Sequence, residues 1–263
     1  MSAQPTPLTQ TEDPPDNACR IALISDIHGN LVALEAVLED LEEQNISSIL
    51  CLGDIVGYGP EPGACVRRVR EHCEHTVLGN HELMMLMLHS EMAPDMGPEL
   101  TPALRRALGQ LKEEEREWIS ALPLGMNLEE FAIVHSSFCE PPIFHYIMET
   151  EDAEDCLREQ PVRVSFHGHT HVPMIWEQSG QAVYGLEPGN LPNKLNPKAR
   201  YCINVGSVGQ PRDGDSRAAY CIFDPRKQTV LHRRVPYDIA WAQSRFEGTG
   251  LRSFDRQRIA LGD

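Results

Sequence analysis

Apolar and polar positions follow two periods along this chain. Residues 20–26 (RIALISD) are a short apolar run ending in polar residues, the pattern of a buried strand. Residues 30–43 carry apolar side chains at 31, 34, 37, 38 and 41, one stripe of a helix for which Asn30 is the expected N-cap. SSILCLGD at 47–54 reads as strand, GACVRRVREHC as helix, and HTVLGNH at 75–81 as a third strand. This alternation predicts a β-α-β-α-β start and a largely parallel sheet. Residues 82–128 read as helix interrupted by prolines. Within them LMMLML (83–88) suits a buried helix filled with methionine, and KEEERE (112–117) a solvated face. FAIVHSS (131–137) and VRVSFHGHTH (162–171) return to strand, with the acidic segment 138–160 expected as a loop-like rim. Runs at 201–205, 218–224 and 228–235 follow without long helices between them, so that half is expected to be antiparallel. Residues 237–263 read as a closing helical segment. No repeat or linker divides the chain, and the expectation is a single domain over 19–263 behind a polar, proline-rich tail at 1–18.

Composition narrows the classes. Of 263 residues 41 % are hydrophobic, an ordinary globular proportion. No apolar run reaches the roughly 18 residues of a membrane span. The first residues lack the basic start and apolar core of a signal peptide, so a cytoplasmic protein is expected. The spacing of the eight cysteines supports no CxxC-type zinc site, and several sit in strand-like runs, which suits buried free thiols. The formal net charge of −16 gives no bulk attraction for nucleic acid. An anionic substrate therefore needs a local positive feature, such as bound metal ions.

The polar residues at the strand ends form a set. IALIS ends in Asp26 and His28, ILCLG in Asp54, TVLG in Asn80 and His81, FAIV in His135, and VSFHG in His169 and His171. Ligands of open α/β sheets bind beyond the carboxyl ends of strands. Any one of these residues has an ordinary explanation as a cap or a turn residue. Five strands that each place Asp, Asn or His at one sheet edge do not. Carboxylate, amide oxygen and imidazole suit manganese, iron, zinc and related divalent ions. Seven ligands exceed one four-coordinate ion and fit two ions that share a bridge, an arrangement that clamps both oxygens of a phosphoryl displacement.

In these motifs the chain resembles the calcineurin-like metallophosphoesterases, and in particular their small prokaryotic phosphodiesterase-type members. They are Asp26-Ile-His28-Gly-Asn, Gly53-Asp54, Gly79-Asn80-His81-Glu82, the strand-end His135 and Gly168-His169-Thr-His171. The resemblance implies an α+β fold, a four-layer α-β-β-α sandwich of two mixed β-sheets flanked by helices. It implies two divalent metal ions, manganese foremost, with iron, zinc, nickel or cobalt as alternatives. Asp26, His28, Asp54 and His171 would hold one, and Asp54, Asn80, His135 and His169 the other. Asp54 would bridge them together with a water or hydroxide, the implied nucleophile, whose pKa a metal lowers from about 15.7 towards about 7. His81 is the implied catalytic residue, donating a proton to the leaving group or binding a phosphate oxygen. The small phosphorylated substrate would be a phosphodiester or a nucleotide. The alternatives are a phosphomonoesterase or protein phosphatase, and a non-catalytic scaffold with the same fold.

The protein phosphatase branch carries an Asp-Arg pair shortly after its Gly-Asp motif. Here that segment is Gly53-Asp54-Ile-Val-Gly57-Tyr58-Gly59, which has neither a carboxylate for His81 nor a phosphate-binding arginine. Glu82 is expected as helix N-terminal charge. Arg212, in VGSVGQPRDGD (205–215), is the substitute arginine, unless it is a turn residue paired with Asp213 or Asp215. Asn204 and Ser207 are weaker candidates. His145 and Tyr146 are expected as ordinary loop residues, and His167 as part of the strand body rather than a ligand.

Overall fold

A computed structural model describes residues 19–88 and 97–263. The tail expected at 1–18 and residues 89–96 of the helical stretch lie outside the described residues.

The first half builds as its periodicity dictates. Strand β1 (Ile21–Ile24) leads into helix α1 (Leu31–Glu43), whose start is capped by Asn30: its side chain accepts the Ala33 N–H at 3.2 Å. Next come β2 (Ser48–Cys51), α2 (Pro62–His72) and β3 (His75–Thr76), with β1, β2 and β3 paired in parallel. Helices α3 (Asn80–Met87), α4 (Gly97–Gln110) and α5 (Glu113–Ser120) follow. The chain then runs through β4 (Gly125–Asn127), β5 (Ala132–Val134), α6 (Thr150–Glu159), β6 (Val164–His167), β7 (Met174–Ser179) and β8 (Ala182–Leu186). It finishes with β9 (Asn193–Lys194), β10 (Arg200–Asn204), β11 (Ala218–Asp224), β12 (Thr229–Val235), α7 (Ile239–Ser244) and α8 (Ser253–Leu261).

Among the described residues these strands form two mixed sheets of six, ordered β3-β2-β1-β11-β12-β9 and β4-β5-β6-β10-β7-β8. Strand periodicity sorts the side chains into three apolar layers. Ala22 and Ile24 of β1, with Tyr220 of β11, face α1 to α5. Leu23 and Phe223 point the other way and meet Phe166 of β6 and Tyr201 of β10 between the sheets. Phe131, Phe166 and Phe223 form a triad there with ring centroids 5.2–5.8 Å apart, in edge and tilted contacts worth about 0.5–1.5 kcal/mol a pair. Trp176 and Cys202 on the outer face of the second sheet pack against Ala153, Cys156 and Leu157 of α6. The order is helix, sheet, sheet, helix, the four-layer α-β-β-α sandwich.

Three local expectations are corrected. The third strand stops at Thr76, because Gly79 is an N-cap and Asn80 already belongs to α3. Segment 138–160 contains α6; its apolar stripe at 153, 156 and 157 is spaced i, i+3, i+4 and is hidden among acidic residues. The second half is mixed rather than antiparallel, since β10 pairs parallel with β6 and antiparallel with β7.

Candidate functional site

The loops that leave β1, β2, β5 and β6 converge at one end of the inter-sheet seam. Backbone bonds lace the first two together: Asp26 N–H to Gly53 O at 3.1 Å, His28 N–H to Asp54 O at 2.9 Å, and Gly29 N–H to Ile55 O at 2.8 Å. The second sheet joins through Gly168 N–H to His135 O at 2.8 Å and His169 N–H to the Asp26 carboxylate at 2.9 Å. A side chain at Gly168 would lie 2.1 Å from Ser25 Oγ, so glycine is required for this approach. Asp26, His28, Asp54, His169 and His171 all have positive φ, between 49° and 69°. Left-handed geometry costs a non-glycine residue about 1–3 kcal/mol and concentrates at functional sites.

All seven residues expected as metal ligands come together here, beside His81. His28, His135 and His171 each donate Nδ1–H to a backbone carbonyl: Val56 at 3.0 Å, Leu52 at 2.7 Å and Gln210 at 2.6 Å. A carbonyl only accepts, so in the neutral ring each Nε2 keeps its lone pair and turns it inward. His28 Nε2 and His171 Nε2 stand 3.1 Å apart, and His171 Nε2 is 3.2 Å from Asp26 Oδ1. His135 Nε2 is 3.0 Å from Asn80 Oδ1, 3.2 Å from His169 Nδ1 and 3.4 Å from Asp54 Oδ2. Two sets, Asp26-His28-His171 and Asp54-His135-His169, keep their donor atoms within 4.8 Å of one another; His28-Asp54-His81 forms a third. Asp26 Oδ1 and His169 Nε2 are buried without hydrogen-bond partners. Opposed lone pairs and orphaned acceptors fit a positive ion, and carbonyl-anchored imidazoles are the usual support of a ligating histidine.

Burial governs the electrostatics. It drives the His28 imidazole well below its ordinary pKa and His169 down to about 3, in each case reinforced by a neighbouring histidine. Burial also opposes charge on His135, but the Asp54 and Asp26 carboxylates and the Leu52 carbonyl together outweigh it and raise that ring to about 9. Asp54 is desolvated too, yet His135 and His81 hold it well below the usual carboxylate range.

His81 Nδ1 is buried without a hydrogen-bond partner among the described residues. The His81 backbone N–H donates to Asp54 Oδ1 at 2.9 Å, and its Nε2 lies 3.8 Å from Asp54 Oδ2. The ring packs against His28 and Tyr58, with centroids 4.5 and 4.7 Å away. Gly57, at φ +96°, lies so close that an added Cβ would sit 2.0 Å from His81 Nδ1. Ring packing thus orients His81 where the phosphatase pattern would have Asp. Glu82 is wholly buried and accepts the backbone N–H of Asp54, Val56 and Gly79 at 2.8–3.1 Å. It ties the Asp54 loop to α3, a larger role than the expected helix-end charge.

Arg212 is not paired to Asp213 or Asp215, which bind Arg234 and Arg217. Its backbone N–H donates to His171 O at 3.3 Å, its guanidinium donates to Gln210 Oε1 at 3.1 Å, and the guanidinium carbon sits 5.8 Å from the Tyr58 ring centroid. Asn204 and Ser207 brace the loops: Asn204 Nδ2 donates to Gly168 O at 2.6 Å, and Ser207 Oγ to Asp26 O at 2.8 Å. Tyr146 departs from its expected role as an ordinary loop residue. Half-exposed, it stacks on the His169 ring at 4.2 Å and 28°. Phe144 lies 5.8 Å from the His135 ring. His145 is exposed beside Glu140. His167 is buried next to Asn204 and belongs to none of the three donor groups. Of the residues that meet the site, Tyr58 had no role expected of it; the Gly-Tyr-Gly at 57–59 was the one signal for it, since flanking glycines allow a close approach.

Known proteins bear on this arrangement. The calcineurin-like phosphoesterase superfamily domain matches residues 19–228. The chain is 35 % identical over 246 residues to an uncharacterized protein of Methanocaldococcus jannaschii, covering 92 % of this chain and 98 % of that one. A metallophosphoesterase from Sphaerobacter thermophilus, known from its crystal structure, is 38 % identical, with TM-score 0.82 over 94 % of this chain and 100 % of its own. A symmetrical bis(5'-nucleosyl)-tetraphosphatase of Psychromonas ingrahamii is 26 % identical over 195 residues, 71 % of this chain and 68 % of that protein. The chain belongs to the calcineurin-like phosphoesterase superfamily.

Proposed function

We propose that this hydrolase cleaves phosphodiesters or small nucleotides with two divalent metal ions, one held by Asp26, His28, Asp54 and His171 and the other by Asp54, Asn80, His135 and His169. The observation that carries the proposal is the set of inward Nε2 lone pairs, fixed by carbonyl anchors around two buried aspartates. Such ions supply Lewis acidity and a nucleophile at neutral pH. The chain's own contributions are separable. Asp54 touches both halves of the site through His28 and His135. His81 transfers a proton to the leaving oxygen or binds a phosphate oxygen, at a position set by Gly57 and Tyr58. Arg212 offers a fork of donors to a phosphate. The missing Asp-Arg pair favours diesters and small molecules over phosphoproteins. The distant tetraphosphatase similarity supports a dinucleoside polyphosphate as one substrate.

The test is hydrolysis of bis(p-nitrophenyl) phosphate by chelator-stripped protein, with and without Mn²⁺. Metal-restored turnover is expected. Turnover confined to monoesters would favour the phosphomonoesterase reading, and none with any divalent ion the scaffold.

A further inference from the structure

The segment that carries Tyr146 holds a further group of donors, apart from the sets at the seam. Cys139 Sγ, a Glu140 carboxylate oxygen and a His145 ring nitrogen lie within 4.8 Å of one another. They are a thiol, a carboxylate and an imidazole, and Cys139 is half-buried while Glu140 and His145 are exposed. The chain doubles back to bring them together. Glu140 and Phe144 take left-handed φ, 46° and 57°, on either side of a short 3-10 turn, Pro141–Ile143. Two buried serines that follow His135 hold this turn from beneath. Ser136 Oγ donates to His145 O, and Ser137 Oγ accepts the Cys139 N–H at 3.1 Å.

The distances suit a small tetrahedral ion. His145 Nε2 is 3.3 Å from Glu140 Oε2. Two ligand atoms bound at about 2.0–2.1 Å to a tetrahedral zinc stand about 3.3–3.4 Å apart, and a thiolate bound at about 2.3 Å stands about 3.5–3.6 Å from either. A surface ion pair alone explains the first distance, but not the thiol beside it. The three donors line one cavity of about 380 Å³, whose wall also includes Asp152 and Asp155. Asp155 binds Arg158, and Asp152 accepts the Met148 and Glu149 N–H at the start of α6, so water takes the fourth position. Burial, and then the Asp155 and Glu140 charges, push the Cys139 thiol up; the same charges attract a cation.

We propose that Cys139, Glu140 and His145 bind one thiophilic divalent cation of the zinc class, at a site separate from the two-metal centre and independent of the phosphoesterase reading. A sulfur–metal bond replaces the S–H bond, and the proton leaves to solvent. Thiolate and imidazole select zinc or cobalt over magnesium, calcium or manganese. The site is placed to act on the lip. His145 lies between Phe144 and Tyr146, whose rings are 5.8 Å from His135 and 4.2 Å from His169. An ion on His145 restrains the segment that covers one half of the donor set.

The test is optical titration of the full chain with Co²⁺. The two-metal donor set contains no cysteine, so a thiolate-to-cobalt charge-transfer band in the near ultraviolet reports this site alone. The band is expected in wild type, and added Zn²⁺ should displace it. Cys139→Ser should abolish it, whereas Cys73→Ser, at another partly exposed thiol, should leave it unchanged. His145→Ala and Glu140→Ala should each raise the cobalt concentration at half-saturation about tenfold or more. Both positions are exposed, so these two variants carry the test even if Cys139→Ser does not fold. No band in wild type, a band that survives Cys139→Ser, or one indifferent to both His145→Ala and Glu140→Ala overturns the site and leaves a surface ion pair beside an ordinary thiol.

Discussion

The Glu82 carboxylate accepts the backbone N–H of Asp54 at 2.8 Å across 28 positions of sequence, while Asp54 Oδ1 accepts the N–H of His81, the neighbour of Glu82, at 2.9 Å. The two acids exchange bonds between the β2 loop and the start of α3. Burial, and then the Asp54 charge, raise Glu82 to about 7.

Replacing Glu82 with Ala strands three buried backbone donors at about 1–3 kcal/mol each, so a loss of about 3 kcal/mol or more in unfolding free energy is expected. Glu82→Gln, which keeps an acceptor, should lose less. Urea titration measures both. A loss under about 1 kcal/mol for Glu82→Ala would mean that the exchange does not hold the loop.

Gly57→Ala tests how His81 is held. The new methyl group would collide with His81 Nδ1 at a residue already at φ +96°. Turnover of bis(p-nitrophenyl) phosphate should fall at least tenfold while metal content, read by atomic emission, stays the same. Unchanged turnover would show that His81 position does not matter.

Two further variants separate binding from proton transfer. His81→Ala should keep its metal and lose about 10²–10⁴-fold in rate, the usual contribution of a positioned acid. Asp54→Asn should lose both metal and rate. If Asp54→Asn kept its rate with the metal gone, the bridging assignment would be wrong.

The acid limb of stability should carry the mark of His232. Burial pushes this ring down to about 4, and its Nε2 hydrogen-bonds Asn204 O at 2.7 Å. An exposed histidine titrates near 6.5, so in falling pH the unfolded chain takes the proton first. The contribution is complete above about pH 6.5 and is lost as pH falls towards about 4, with a slope approaching 1.4 kcal/mol per unit, roughly. His167, His28 and His169 are depressed by burial in the same way, so His232→Gln should remove one share of this slope rather than abolish it. Denaturation midpoints across that window, in chelator, decide it. An unaltered slope in His232→Gln would rule the residue out.

Sequence showed the donor set well because each donor ends an apolar run. Asp26, Asp54, His135 and His169 follow strands whose hydrophobicity is unambiguous, and the sheet order then brings them together. What surrounds them was hidden for physical reasons. Tyr146 sits in an acidic stretch with no periodicity of its own, and its relation to His169 exists only once β5 and β6 pair. Glu82 looked like a helix-end charge because nothing local indicates that a loop 28 residues away will fold over it.

The seam between the sheets divides the molecule into parts with different freedom to change. Asp26 and His169 belong to opposite sheets yet share a bond at 2.9 Å, and Gly168 admits no side chain there. A slide of one sheet over the other by less than the width of an atom would part them. Substitutions along this joint therefore act as all-or-none events. The aromatic lip is carried on a segment outside the joint but rests on it through the His169 and His135 rings. Changes at Tyr146 therefore reach the donor set through one ring contact, whereas changes at Gly168 reach it through the backbone itself.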